Sequence, residues 1–298
     1  MYLKKALWVS ESNEDPNDQS STVVNELVSS LTNQRVYREI TLALRTGLRD
    51  ARAEFSFLRV LALRNLLKFL RSVTESDSTI QLFSISQSLT HLQVVPVLFQ
   101  NSLRQSKEEE ESVVVSNLNH IFTVEPLKIT SPTSATEVAL ALRVLEGCCL
   151  LHSESTELAH KFKAIEVLMD ILATRGVLEL GACLDALISI MLDSSANQMD
   201  FEACHGIEKI ADLIQDKQMD ENIRLKCGEF LLLFIGHLNG RERPPMMRVH
   251  EDIRRLLGEK SASLIWAASQ FGSTLDPEQR QTALHIQARR VLESLELY

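Results

Sequence analysis

The chain has 298 residues, enough for one large domain or two ordinary ones, and its 45% hydrophobic content is that of a globular protein. Aromatics at 5%, ten glycines and seven prolines argue against a turn-rich all-β fold, and the abundant Leu, Ala, Glu, Arg and Gln favour helices. A formal net charge of -9, from 31 basic and 40 acidic residues, argues against a nucleic-acid partner.

Met1 to Ser10 holds no apolar stretch long enough for a signal peptide, and no later run reaches the roughly 20 residues that cross a bilayer. Neither export nor a membrane span is expected. Glu11 to Ser21 is rich in Ser, Asn, Asp and Glu, so residues 1–21 are expected to be a partly flexible leader. A single helical domain should follow over 22–298. Its first run places Val23, Val24, Leu27, Val28 and Leu31 at helical spacing and continues through Val36, Ile40, Ala43 and Leu44 to a stop at Gly47.

Arg52 to Val73 predicts a second helix with Phe55, Leu58, Leu61, Leu66 and Phe69 on its apolar face. The surrounding segment is locally basic: Arg35, Arg38, Arg45, Arg49, Arg52, Arg59, Arg64, Lys68 and Arg71 stand against Glu39, Asp50 and Glu54. These cations are either a solvated face with snorkelling stems or a docking surface for an acidic partner. On the second reading the candidate partner-binding residues are Arg45, Arg49, Arg52, Arg59 and Arg64.

Ile80 to Gln87 predicts a short helix, and Leu89 to Leu103 another, with Pro96 either kinking it or marking its first turn. The period then lapses. Lys107 to Glu111 is a charge run, and Pro126 and Pro132 interrupt the residues beyond it, so a flexible, regulatory loop is expected over 105–135. Ser131-Pro132 is the chain's single Ser/Thr-Pro step, the one sequence that a proline-directed kinase would read.

From Val138 onwards the chain repeats itself. Leu142, Leu145, Cys149 and Leu150 are matched 42 positions later by Leu184, Leu187, Met191 and Leu192, and the same shift carries Ile165, Leu168 and Ile171 onto Ile207, Ile210 and Leu213. Each unit reads as a long helix, a polar break (His152 to Thr156, then Asp193 to Asn197) and a shorter helix. Cys227, Phe230 and Phe234 open a third unit whose second helix falls around Val249 to Leu257. Two final helices complete the chain, Leu264 to Gln270 and a run starting at Pro277 with Asp276 as its N-cap. The expectation is an all-α, armadillo- or HEAT-like solenoid of stacked repeats.

Signs of chemistry are sparse. Five cysteines, Cys148, Cys149, Cys183, Cys204 and Cys227, lie within apolar runs and cannot all pair, which fits a reducing compartment and a cytoplasmic protein. Cys148 and His152 share a helix face, as a nucleophile and base or two metal ligands would, but no third group stands near them. No cysteine has an Arg six residues on, and the HExxH, GxxxxGK[ST], GxSxG and GxGxxG motifs are absent. No cofactor, metal site or catalytic residue is expected, and the chain reads as a non-enzyme. The Asn ladder of peptide-binding armadillo grooves is missing from Lys163–Thr174 and Gly206–Gln215.

Leu63 to Leu67 with Asn65, Val144 to His152, Asp193 to Ile207 with Ser195, Asn197 and Phe201, and Arg224 to Phe230 occur in an order and spacing that resemble the cell division control 14 family of the septation initiation network. That family is unrelated to the phosphatase of the same name. The resemblance implies an armadillo-like, non-catalytic subunit that binds a germinal-centre-class protein kinase and other cell-division proteins during cytokinesis, often at a spindle pole or microtubule-organising site. The alternative is a generic armadillo-type adaptor for another protein or a cytoskeletal partner.

Overall fold

The computed structural model describes residues 16–104, 131–192, 194–239, 249–269 and 277–296. Asp276 and most of the loop expected over 105–135 lie outside these residues. Thirteen α-helices are present among them: α1 (Pro16–Ala51), α2 (Ser56–Val73), α3 (Asp77–Gln87), α4 (Val94–Gln100), α5 (Ala135–Leu151), α6 (Glu154–Lys161), α7 (Ala164–Thr174), α8 (Val177–Met191), α9 (Ser195–Ala203), α10 (Gly206–Gln215), α11 (Glu221–Asn239), α12 (Val249–Ser269), which is broken into two arms at the non-helical Gly258 (φ 82°), and α13 (Pro277–Glu296). Helix α1 starts at Pro16, six residues before the Thr22 start that the apolar period suggests, because Pro at a first helical turn gives up no hydrogen bond. It also runs through Gly47, expected as its stop, to Ala51.

The helices form two layers. Helices α2, α5, α8, α11 and α13 lie side by side in that order in one layer. In the other, α4 leads through α6 and α7 to α9 and α10 and then to α12. One apolar core runs between the layers from Ile40 to Leu292. Helix α1 closes one end against α2, α3 and α4 through Ile40, Leu44, Leu48 and Ala51. Over its earlier turns, Val24, Leu27, Val28 and Leu31 are all exposed. Pro96 sits in the first turn of α4, where its missing N–H has no intrahelical partner to lose.

The repeat has three helices rather than two: α5, α6 and α7 recur as α8, α9 and α10. The polar breaks of the sequence are in fact the starts of the short middle helices, α6 and α9. Ser194 Oγ accepts the Asn197 N–H and caps α9. The sharp turn into the third helix is also copied: Lys163 (φ 54°) and His205 (φ 55°), one period apart, both adopt the left-handed conformation. Neighbouring repeats are bonded at nearly the same spacing. Asn197 Nδ2 donates to Thr156 O (3.0 Å), His160 Nδ1 meets Asp200 Oδ2 (2.7 Å) and Lys209 Nζ donates to Met169 O (3.1 Å).

Packing inside the two repeats differs where α9 meets α10. Phe201 on α9 is fully buried and its ring lies where a Cβ on Gly206 would be, 2.2–2.4 Å from three ring carbons. One period earlier the same two positions are Ala159 and Ala164, both fully buried. A large and an absent side chain in one repeat replace two small ones in the other, as close packing requires.

Candidate interaction surface

Helix α2 carries Arg59, Arg64, Lys68 and Arg71 and no carboxylate over its 18 residues. Its polar residues Arg64, Asn65, Lys68, Arg71 and Ser72 fall in one sector of ~120°, and the opposite face turns inward. Arg59 lies on that inward face, where a distant carboxylate holds it. Glu137, on α5 and fully buried, holds the Arg59 guanidinium at 2.7 Å (Nε to Oε1) and 3.1 Å (Nη2 to Oε2). The remaining Arg59 N–H groups donate to Ala53 O, Glu54 O and Ser131 O at 2.9–3.0 Å. The Ser56 hydroxyl donates to the same carboxylate at 2.6 Å, and the Ser56 N–H donates to Ser131 Oγ at 2.5 Å. Ser131 is thus tied to the start of α2.

The structure corrects two sequence expectations. Arg59 is buried and internally bonded, so it is part of the fold and not of a docking surface. The buried face of α2 is Arg59, Ala62, Leu63, Leu66, Leu70 and Val73, whereas Phe55, Leu58 and Leu61, expected to point inward, are exposed.

The other four candidate arginines are exposed but do not converge. Gly47 is where α1 receives Leu66 of α2, with room for no side chain. Arg45 and Arg49 each lie two residues from Gly47, ~160° round α1, and so face away from α2. Arg49 is paired with Asp50 at 2.9 Å. Arg52 sits just beyond the end of α1, and Arg64 stands on the outer face of α2. Phe57 and Lys68, absent from the sequence-derived set, share that face with Arg64: positions 57, 61, 64 and 68 follow helical spacing. Phe57 is 68% exposed and Leu61 53%, and the Phe57 ring stacks on Phe55 with centroids 5.9 Å apart. Among the described residues, Arg64 and Lys68 form no ion pair.

The same layer looks different further along. Asp185 on α8 accepts from Lys226 Nζ of α11 at 2.5 Å and lies 4.0 Å from Arg143 Nη1 of α5. Arg143 and Asp185 occupy one repeat position, 42 residues apart. Glu146, on the same side of α5, has its carboxyl pushed up by burial and then by the nearby Asp185. At the far end His285 Nδ1 meets Glu229 Oε1 at 3.0 Å. Charges here satisfy one another.

The cysteines are dispersed through the core. Burial holds the Cys148 and Cys183 thiols far above their ordinary range and pushes those of Cys149 and Cys227 up to about 12, so all four stay protonated at neutral pH. Cys183 Sγ donates to Leu168 O. His152, which shares a helix face with Cys148 in sequence, bonds Ser155 Oγ at 3.0 Å instead. Two open depressions, of about 420 Å³ beside Phe99 and Phe162 and about 570 Å³ beside Leu256 and Leu295, contain neither Cys nor His. No group of three metal-ligating side chains is found among the described residues, nor any helix long and apolar enough to cross a membrane.

Among solved structures, the chain is similar to two engineered proteins from the Northeast Structural Genomics Consortium. The first, at 14% identity and a TM-score of 0.44, covers 86% of this chain and 99% of its own; the second, at 12% and 0.41, covers 85% and 96%. No curated protein sequence matches. The sequence model described as "Cell division control protein 14, SIN component" matches residues 59–282, from the buried Arg59 of α2 into α13. With three-quarters of its length so matched, the chain belongs to the cell division control protein 14 family, a component of the septation initiation network.

Proposed function

We propose that the protein is a non-catalytic scaffold or regulatory subunit that binds a germinal-centre-class protein kinase in septation signalling. The observation that carries this reading is the family match over residues 59–282. Its physical support is a stack in which four of the five thiols are buried and protonated and whose layers leave long faces open to another protein. The exposed cations Arg45, Arg49, Arg52 and Arg64 offer an acidic partner complementary charge. A cytoplasmic protein concentrated at a spindle pole or microtubule-organising site fits this role.

Affinity purification of the full chain from dividing cells, read by mass spectrometry, tests the proposal. A germinal-centre-class kinase should co-purify. Recovery of other proteins with no such kinase would favour a generic armadillo adaptor.

A further inference from the structure

We infer that the outer face of α2 is a docking site for an acidic amphipathic helix. The inference rests on the scaffold reading, in which the protein acts by binding, but not on the partner's being a kinase. Phe57 and Leu61 are exposed on the face that Arg64 and Lys68 continue, and the exposed Phe55, just before α2, and Leu58 flank them. The stripe from Phe57 to Lys68 is ~16 Å long, about three helical turns. Exposed aromatic and aliphatic side chains of this size are characteristic anchors of a protein interface. The ring stacking of Phe55 on Phe57 holds them as a single patch at little cost in side-chain freedom.

Charge selects the occupant. In a chain of net charge -9, α2 is a local inversion, with four cations and no acid. Arg59 is neutralised internally by Glu137, which leaves Arg64, Lys68 and Arg71 exposed, the first two beside the apolar patch. A helix presenting apolar residues at i, i+3, i+4 and i+7, with Glu or Asp on the following turns, would cover the patch and pair with both. A basic or neutral partner would leave the two cations facing like charge or desolvated without a counter-ion.

The test uses two fluorescein-labelled 18-residue peptides, one with a Leu stripe flanked by Glu and a twin in which every Glu is Lys, titrated by anisotropy against the full-length chain. The Glu peptide should bind at least about tenfold more tightly than the Lys twin, with the preference weakening as salt rises. Arg64→Glu with Lys68→Glu should invert the preference, and Phe57→Ala with Leu61→Ala should remove binding of both. All four positions are exposed, so circular-dichroism melting should match that of the parent. Equal binding of the twins, or variants that bind as the parent does, would overturn the inference. So would Glu-peptide binding that emerges only after Glu108 to Glu111 are changed to Gln, since the occupant would then be this chain's own acidic run. Failure here leaves co-purification of a kinase untouched, and absence of a kinase leaves the peptide result standing.

Discussion

Two stretches of one helical layer handle charge in opposite ways. On α5, α8 and α11, Asp185 meets both Arg143, its equivalent one period earlier, and Lys226 of the next helix. On α2 the outward Arg64 and Lys68 meet no carboxylate among the described residues, and the one that reaches the helix, Glu137, is engaged on its inward side. Repetition explains the first: neighbouring units put the same surface position side by side, so opposite charges there neutralise each other. Helix α2 has a neighbour of that kind on one side only, because α1 occupies the other. An end of a stack is where a surface is free to be complementary to something else.

The largest effect should come from breaking the inward contact. Arg59→Ala leaves a fully buried Glu137 without its cation and should destabilise the chain by about 3–5 kcal/mol in a urea titration. A loss below about 1 kcal/mol would mean that Glu137 does not depend on Arg59 for its counter-charge.

Gly206→Ala tests the repeats behind both faces. Its Cβ would press on the Phe201 ring, an overpacking of about 1–3 kcal/mol. Adding Phe201→Ala recreates the pairing at 159 and 164, so the double variant should be less destabilised than the sum of the single ones.

A smaller effect is expected at Glu146. Its folded carboxyl titrates above the ordinary value, so the folded state prefers the protonated form, and stability falls as pH rises from the usual carboxylate pKa through the raised one. Glu146→Gln should therefore stabilise the chain at neutral pH, by no more than a few tenths of a kcal/mol because water screens the half-buried carboxyl. The gain should vanish in acid. Asp185→Asn should lower the Glu146 pKa, as followed by NMR titration of the side chain.

The smallest effect on stability belongs to the outer face of α2. Arg64→Glu with Lys68→Glu should leave the thermal midpoint within the equivalent of about 0.5 kcal/mol, because neither side chain supports the fold. A large drop would contradict the contrast between the two regions.

Much of this architecture was legible. The apolar periodicity located α5, α7, α8, α10 and α11 and the 42-residue register of the first four, because long buried helices repeat their inward positions. The middle helices α6 and α9 were hidden by their composition: Glu154, Ser155, Thr156, Ser195 and Asn197 resemble a loop until their neighbours are known. The burial of Arg59 was not legible, since it depends on meeting a carboxylate 78 residues away. The basic stretch was visible as charge. Its division into one structural arginine, cations directed away from α2 and two beside an aromatic patch required the fold.

The exchange of Ala159 and Ala164 for Phe201 and Gly206 limits how far the two units are interchangeable. Transplanting α9 alone into the place of α6 would set a phenyl ring against the Ala164 methyl, and the reverse graft would open a void beside Gly206. An averaged sequence built from the two would have the same fault. The middle and third helices of a unit therefore have to be exchanged together, and Phe201, which also packs on Phe230 and Phe234 of α11, ties that exchange to the unit that follows.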